Sequence, residues 1–456
     1  MGWGLYFCNG RHTIQHMSED WRAKLQRLGV VKGTRHLKSA PPLTDMTQPV
    51  SAPIGQPGEG ESGVVSLEVL LPGLQLAETS AGMCLVREKV YPLSYRHGMS
   101  RLGDLLAFSP ASLAVYLDLP GLEGVSYRDV VFLDTETTGL AGAGTVAFMV
   151  GVAFFADDVL IVRQYFLRNF GDEPAMLVLL GELLGERRGL VTFNGRSFDI
   201  PLLDGRYLLN RMPGRWLDLP HIDLLSPARR LWRPRLGSCA LSALEISLLG
   251  VKRTQEDVPG WLIPTLYHNY LRSGDGRELV RVFYHNEVDM LSMVTLAVQV
   301  AAIVEGRETA VHPIDLISLG KWQNSAGLTE AAEQSFRQAL AADLPLPHYH
   351  EALYQLAYLL KRSDRRSEAV PLWQQIATTS FEDVTAHVEL AKHYEWHEVA
   401  LETAVYWTQQ AINLARHWPD SQGCLVLPEL THRLKRLTRK LKQAENGRFP
   451  TNQAPE

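Results

Sequence analysis

The run Val130-Val-Phe-Leu-Asp134-Thr-Glu136-Thr-Thr-Gly-Leu140 decides the architecture. Its apolar lead of β-branched, aromatic and aliphatic residues suits a buried strand. The strand ends in two acids spaced by one residue. Side chains alternate along a strand, so Asp134 and Glu136 share a face, about 7 Å apart. Two carboxylates aimed at one point repel unless a cation lies between them. The plain reading is a strand-end turn with solvated acids. The acids break an apolar run just before a glycine turn, and this favours a metal site instead.

Two later segments carry compatible chemistry. In Leu190-Val-Thr-Phe-Asn194-Gly-Arg-Ser-Phe-Asp199-Ile-Pro-Leu-Leu203 a strand leads through the sharp Asn194-Gly195 turn into a helix that opens near Asp199. Asp199 is either an N-cap or a further ligand. In Phe283-Tyr-His285-Asn-Glu-Val-Asp289 the His and Asp are i and i+4, on one helix face. They form a surface pair, or a metal-binding Asp with a His that reaches the water a metal activates. Asp223 in HIDLL and Asp257 in DVPG stand near these segments without a defined role. The run from Ser226 to Arg235 holds Arg229, Arg230, Trp232, Arg233 and Arg235. It is either a surface loop paired with local acids or a patch that grips phosphates and stacks a base on Trp232.

Outward from these segments the chain divides by character. Its 456 residues suggest about three units. With 46% apolar and 21% charged residues it is an ordinary globular chain, not a disordered, collagenous or coiled-coil one. A net charge of −5 gives no global basic field, so a nucleic acid would bind through local patches. Cys8, Cys84, Cys239 and Cys424 are scattered and form no CxxC pair. This fits a reducing compartment and argues against a zinc ribbon. No apolar leader opens the chain. The charge-free stretch Thr137–Ala156 is long enough to span a bilayer, but its four glycines and its apolar half Val146–Phe155 suit a buried strand better. A cytoplasmic protein without a membrane segment is expected.

Residues 1–62 read as a linker or disordered region with a short basic helix at Ser18–Leu28. Residues 63–121 form a small lead-in, with strands expected at Val64–Leu71 and Met83–Val90. A helix at Pro110–Leu117 follows, capped by Ser109. Residues 122–307 alternate strand and helix signals. Strands are expected at Val130–Asp134, Val146–Phe155, Val159–Leu167 and Leu190–Phe193, with helices at Glu173–Leu184, Cys239–Leu249 and Glu278–Val300. This is an α/β pattern, a mixed sheet flanked by helices.

Residues 313–445 change to an all-α pattern. Ala357 and Ala391 lie 34 residues apart in similar frames, LYQLAYLL and HVELAKHY. Ala332–Phe336–Ala339, Ala369–Trp373–Ile376 and Ala404–Thr408–Ala411 share one spacing. Small residues recurring at about this period where paired helices touch are a tetratricopeptide-like signature. The repeats are degenerate, with Pro371 inside one helix and Gly320 where an alanine is expected. Leu434, Leu437 and Leu441 place one apolar face on a basic tail helix that would cap the array.

The segments FLDTETTGLAGAGT, VTFNGRSFDIPLL, HIDLLSPARRLW, LGSCALSALEISLLGVKR, DVPGWLIP and HNEVDMLSM together resemble the DEDD exonuclease superfamily, whose fold is ribonuclease H-like. They are closer to its bacterial YprB-type branch, which often carries tetratricopeptide repeats. The resemblance implies four acidic metal ligands, Asp134, Glu136, Asp199 and Asp289, holding two Mg²⁺ or Mn²⁺ ions. Oxygen ligands suit these ions better than zinc. It also implies a general base one turn before the last Asp. One subclass has Tyr four residues before that Asp and another has His five before. Here His285 stands at four and Tyr284 at five. The face shared with Asp289 selects His285, with Tyr284 the alternative.

The expected activity is hydrolysis of phosphodiester bonds in DNA or RNA, as a 3′–5′ exonuclease on single strands. Thr137, Asn194, Arg229, Arg230, Trp232 and Arg233 are the candidate substrate contacts. A structure-selective endonuclease is a third possibility. The other reading is a nucleic-acid-binding scaffold whose nuclease-like domain is weakly active or inactive and whose repeats bind a protein partner. No acidic cluster of ligand spacing follows Pro313, so a chain ending near Arg307 is expected to keep cleavage.

Overall fold

A computed structural model describes residues 63–445 apart from 140–143, 213, 255 and 309–310. The expected linker and the Ser18–Leu28 helix lie outside the described residues. The strands are β1 (Leu74–Thr79), β2 (Gly82–Pro92), β3 (Arg96–His97), β4 (Ser100–Arg101), β5 (Val130–Thr137), β6 (Ala147–Ala156), β7 (Val159–Phe166), β8 (Gly189–Thr192) and β9 (His221–Asp223). β3 and β4 form a small hairpin; the other seven make one mixed sheet in the order β1-β2-β7-β6-β5-β8-β9. From β1 through β2, β7 and β6 to β5 every neighbouring pair is antiparallel, while β8 lies parallel to β5 and β9 parallel to β8.

The strand that carries the two acids is central, and β6 beside it is buried except for Ala156. The apolar half of the stretch long enough for a bilayer is therefore a strand inside the sheet. Alternation sorts β5 between two cores. Val131 and Leu133 pack with Met176, Leu180, Leu203 and Tyr267. Val130 and Phe132 pack with Val191, Trp232, Met290 and Met293.

The helices before the array are α1 (Leu67–Leu70), α2 (Pro110–Leu117), α3 (Glu173–Gly185), α4 (Asp199–Leu209), α5 (Leu225–Leu236), α6 (Leu241–Leu244), α7 (Ile263–Ser273) and α8 (Leu279–Val304). Ser109 caps α2 as expected, its side chain accepting from the Ala111 amide. By length and composition α8 could cross a membrane, yet its apolar window is mostly buried inside the protein.

Four expectations need correction. Val64–Leu71 is not a strand: Leu67 and Leu71 are both buried, one helical turn apart, and Gly73 at φ +81 turns the chain into β1. The lead-in is part of the same sheet rather than a segment ahead of it, because β2 pairs with β7 from Leu85↔Phe166 to Pro92↔Val159. Cys239–Leu249 is no single helix; α6 gives way to a π turn at Glu245–Leu249 that stops at Gly250, φ +68. The arginine run is not a loop. It is α5, with Leu225, Ala228, Leu231 and Trp232 buried along one side.

Seven helices follow: α9 (Pro313–Ser325), α10 (Thr329–Leu340), α11 (Leu346–Arg362), α12 (Arg366–Thr379), α13 (Thr385–Trp396), α14 (Leu401–Ala415) and α15 (Asp420–Glu445). Each packs on the next in chain order. Ala332, Ala339, Ala357, Ala369, Ala391, Ala404 and Ala411 are all buried. Gly320 departs from alanine for a steric reason: a Cβ there would stand 2.6 Å from the Phe336 ring. In the tail helix Leu437 is buried, and Arg436 and Lys440 reach the buried Glu395 carboxylate, Lys440 at 2.7 Å.

The first helix of the array is welded to the sheet domain. Leu319 and Trp322 belong to the same core as Phe132. The Trp322 indole donates to the Tyr116 carbonyl at 3.0 Å, and Arg235 pairs with the buried Asp315 at 2.7 Å. A chain ending at Arg307 would lose these contacts, so the sheet domain does not stop there.

Candidate metal centre

The site forms at the end of β5 where α8 and α4 approach it from different sides. Asp134 and Glu136 are residues of the strand; Asp289 and His285 lie on α8. Glu136, His285 and Asp289 offer ligand atoms within 4.8 Å of one another. Asp199 opens α4, whose Leu203 packs in the core of Val131 and Leu133. It therefore arrives from the face opposite Asp134. Thr135, which alternation turns to that face, donates its hydroxyl to Asp199.

Burial dominates the electrostatics. It raises Asp134 and Glu136 well above the usual carboxylate range, and Asp289 is raised for the same first reason. Repulsion among the acids adds to it: Asp134 feels Asp199 and Asp289, and Glu136 feels all three others. Asp199 is pushed up to about 6 by burial, against the stabilising hydrogen bond from Thr135. Such a cluster is short of positive charge.

Arg253 supplies part of that charge. Its guanidinium makes two 2.7 Å bonds to Glu245, a third bond to Asp289, and lies 3.0 Å from Nδ1 of His285. Burial opposes its charge, but the Glu245 and Asp289 carboxylates hold it above its ordinary range. Glu245 is buried and accepts from Ser292 at 2.7 Å, and Ser292 meets Nε2 of His97 at 2.8 Å. The donor set therefore suits a cation, and its oxygen-rich chemistry suits a hard divalent ion.

Asp257 has a defined place: its Oδ1 lies 2.8 Å from Nδ1 of His285, while Nε2 faces Asp289 at 3.4 Å. Tyr284 turns elsewhere, its hydroxyl accepting from the Thr254 amide at 3.2 Å. Asp223 holds the Asn194 turn, accepting from the amides of Asn194 at 2.8 Å, Arg196 at 3.2 Å and Leu225 at 3.0 Å. Asn194 itself takes φ +67 there. Thr137 bonds back to the Gly139 carbonyl at 2.8 Å and is buried.

Of the basic run, Arg229 and Arg230 line a cleft with Asn194, Arg233 is exposed outside it, and Arg235 is committed to Asp315. Trp232 is 1% exposed, so it cannot stack a base and is removed from the candidate contacts.

Two residues went unread in the sequence. Asn286 donates to Asp134 at 3.1 Å and accepts from Gln164 at 3.0 Å. Its signal was adjacency to His285, but helical rotation hides which neighbour it meets. Arg253 had a fainter signal, the lone acid Glu245 inside the apolar run LSALEISLL, which needs a buried partner.

Comparison with known proteins gives the family. The family model described as RNase_H superfamily matches residues 131–301. The YprB protein of Bacillus subtilis (strain 168), itself uncharacterised, is 31% identical over 371 residues, covering 78% of this chain and 86% of its own. Among solved structures, the family B DNA polymerase of the hyperthermophilic archaeon Pyrobaculum calidifontis aligns at TM-score 0.31 and 15% identity. That alignment covers 51% of this chain and 29% of the polymerase. With the mixed sheet, the acids at the end of its central strand and the extended match to YprB, the chain belongs to the RNase_H superfamily.

Proposed function

We propose that the protein is a metal-dependent nuclease that hydrolyses phosphodiester bonds of DNA or RNA, acting as a 3′–5′ exonuclease on single strands. The observation that carries this is the meeting of Glu136 with His285 and Asp289 at one strand end; Asp134 lies on the same strand, and the Asp199 and Asp289 charges raise its carboxyl. Two Mg²⁺ or Mn²⁺ ions held by the four carboxylates would supply Lewis-acid charge at the attacking and leaving oxygens.

The chain's own residues do the rest. In the tautomer with the proton on Nδ1, His285 would donate a hydrogen bond to Asp257 at 2.8 Å, which would fix the ring. The Nε2 lone pair is then left to take a proton from the attacking water. Asn286 fixes one oxygen of Asp134, and Thr135 one oxygen of Asp199. Asn194, Arg229 and Arg230 are proposed substrate contacts. The helical array is proposed as a tetratricopeptide-like platform for a protein segment, supported by its recurring buried alanines. A reducing, cytoplasmic setting is proposed from the scattered cysteines of the sequence.

Digestion of oligonucleotides labelled at either end, with Mg²⁺ or Mn²⁺, tests the activity. A ladder of single-nucleotide steps from the 3′ end is expected. Internal cuts would make it an endonuclease, and intact substrate would return the scaffold reading. In single-turnover kinetics His285→Ala should cost about 10²–10⁴-fold, and Tyr284→Phe little. The reverse ranking would move the base to Tyr284.

A further inference from the structure

A cleft of about 660 Å³ opens between the sheet domain and the first helix of the array, at the turn that leads from β8 to Asp199. One wall is the turn after β8 and the start of α5, contributing Asn194, Arg196, Arg229 and Arg230. The other holds the α2 end, with Asp118, and Ser325 at the end of α9. The cleft and the metal centre are neighbours in the chain and in charge. Arg196 lies three residues before Asp199, and Asp223, which lines the cleft, is close enough to bear on the Asp199 carboxyl.

We infer that this cleft is a binding site for the phosphodiester backbone of a nucleic-acid strand, seating the phosphates next to the one held at the acids. The inference rests on the nuclease reading and extends it to the path of the strand. The charge balance supports it. Asp223 spends its carboxylate on three backbone amides, so it offers little to the arginines. The Arg196 guanidinium is aimed by a 3.0 Å bond to the His221 carbonyl, a contact that leaves its charge unneutralised. Arg230 lies over the Trp322 ring at 5.7 Å, which holds its charge at the seam with α9, with no acid paired to it among the described residues. Arg229 is exposed on the same helix. Trp232 is buried on the inner side of α5 and Tyr116 is the aromatic side chain on the lining, while three arginines set the charge of the cleft, so phosphate charge is what it recognises. Asp118 on the far wall is the opposing charge, and its effect has a definite sign.

The test is binding of short fluorescein-labelled deoxythymidine and uridine oligonucleotides by anisotropy at several salt concentrations. Ca²⁺ replaces Mg²⁺ to suppress cutting, and circular dichroism checks each variant's fold. The Arg196→Gln/Arg229→Gln double variant should weaken binding at least ~10-fold at low salt, because two phosphate contacts are lost. The salt slope should become shallower by roughly 1.4, at about 0.7 per phosphate on a single strand. Ser325→Glu should also weaken binding, Asp118→Asn should tighten it, and Arg233→Gln, outside the cleft, should change neither affinity nor slope.

Wild-type affinity and slope in the folded double variant would overturn the inference, as would an equal loss in Arg233→Gln. Because binding is read without cleavage, the two claims fail separately. A protein that binds through Arg196 and Arg229 but cuts nothing keeps the cleft and loses the nuclease. A protein that cuts while the double variant binds normally does the opposite.

Discussion

Gly151 fixes the position of Asp134 from the neighbouring strand. The two residues are register partners, and a Cβ at Gly151 would stand 2.0 Å from Oδ1 of Asn286. The bare backbone is what lets Asn286 lie against the sheet and reach the carboxylate. Gly151→Ala should displace Asn286, costing about 1–3 kcal/mol by overpacking and slowing cleavage. Gly151→Ala/Asn286→Ala should recover stability but not rate. Urea melts and single-turnover rates decide it, and unchanged stability in the single variant would refute the contact.

Asp199 gives the pH dependence at the same scale. Its folded value of about 6 exceeds the ordinary 3.8, so the folded state keeps a proton that the unfolded chain releases. That contribution to stability is complete below about pH 4 and is lost as pH rises through about 6. In chelator, Asp199→Asn should therefore melt above wild type at pH 7.5 and level with it near pH 4. A constant difference at both pH values would contradict the shift. The acids were legible because carboxylates interrupting an apolar strand are rare. Asn286 and Gly151 were not, because their roles depend on a contact between two elements far apart in the chain.

Among the elements, the central strands were legible because a run such as Phe148–Phe155 has one physical solution, burial within a sheet. Helix α5 was misread although its signal was present. Leu225, Ala228, Leu231 and Trp232 recur at helical spacing, but interleaved arginines drew attention to charge instead. The consequence is measurable. Trp232→Ala removes a side chain that is 1% exposed in the core of α5 and α8. It should cost about 3–5 kcal/mol of stability and leave oligonucleotide affinity unaltered in the fraction that folds. A stable variant with weakened binding would return the indole to the substrate surface. The break at Glu245 was not legible, since the side chain there meets Arg253 and Ser292, partners from outside its own helix.

Over the whole molecule, the boundary between sheet domain and helical array was the least legible feature. A change from alternating to repeating pattern marks where topology changes, not where packing stops. Trp322 and Leu319 complete the core begun by Phe132, and Asp315 neutralises Arg235. A chain ending at Arg307 should accordingly lose cooperative melting, whereas one ending at Asp343 keeps α9 and α10 and should melt cooperatively. Equal melting of the two would show that the array is a separate appendage.

The central claim, that Asp134 and its partners run metal-dependent hydrolysis, is tested most directly by single-turnover cleavage of a 3′-labelled oligonucleotide by wild type and Asp134→Asn across a Mn²⁺ titration. The account predicts cleavage by the wild type that saturates with Mn²⁺ and vanishes in chelator, and none by the folded variant at any Mn²⁺ concentration. Equal cleavage by the two proteins, or cleavage indifferent to metal, would contradict it.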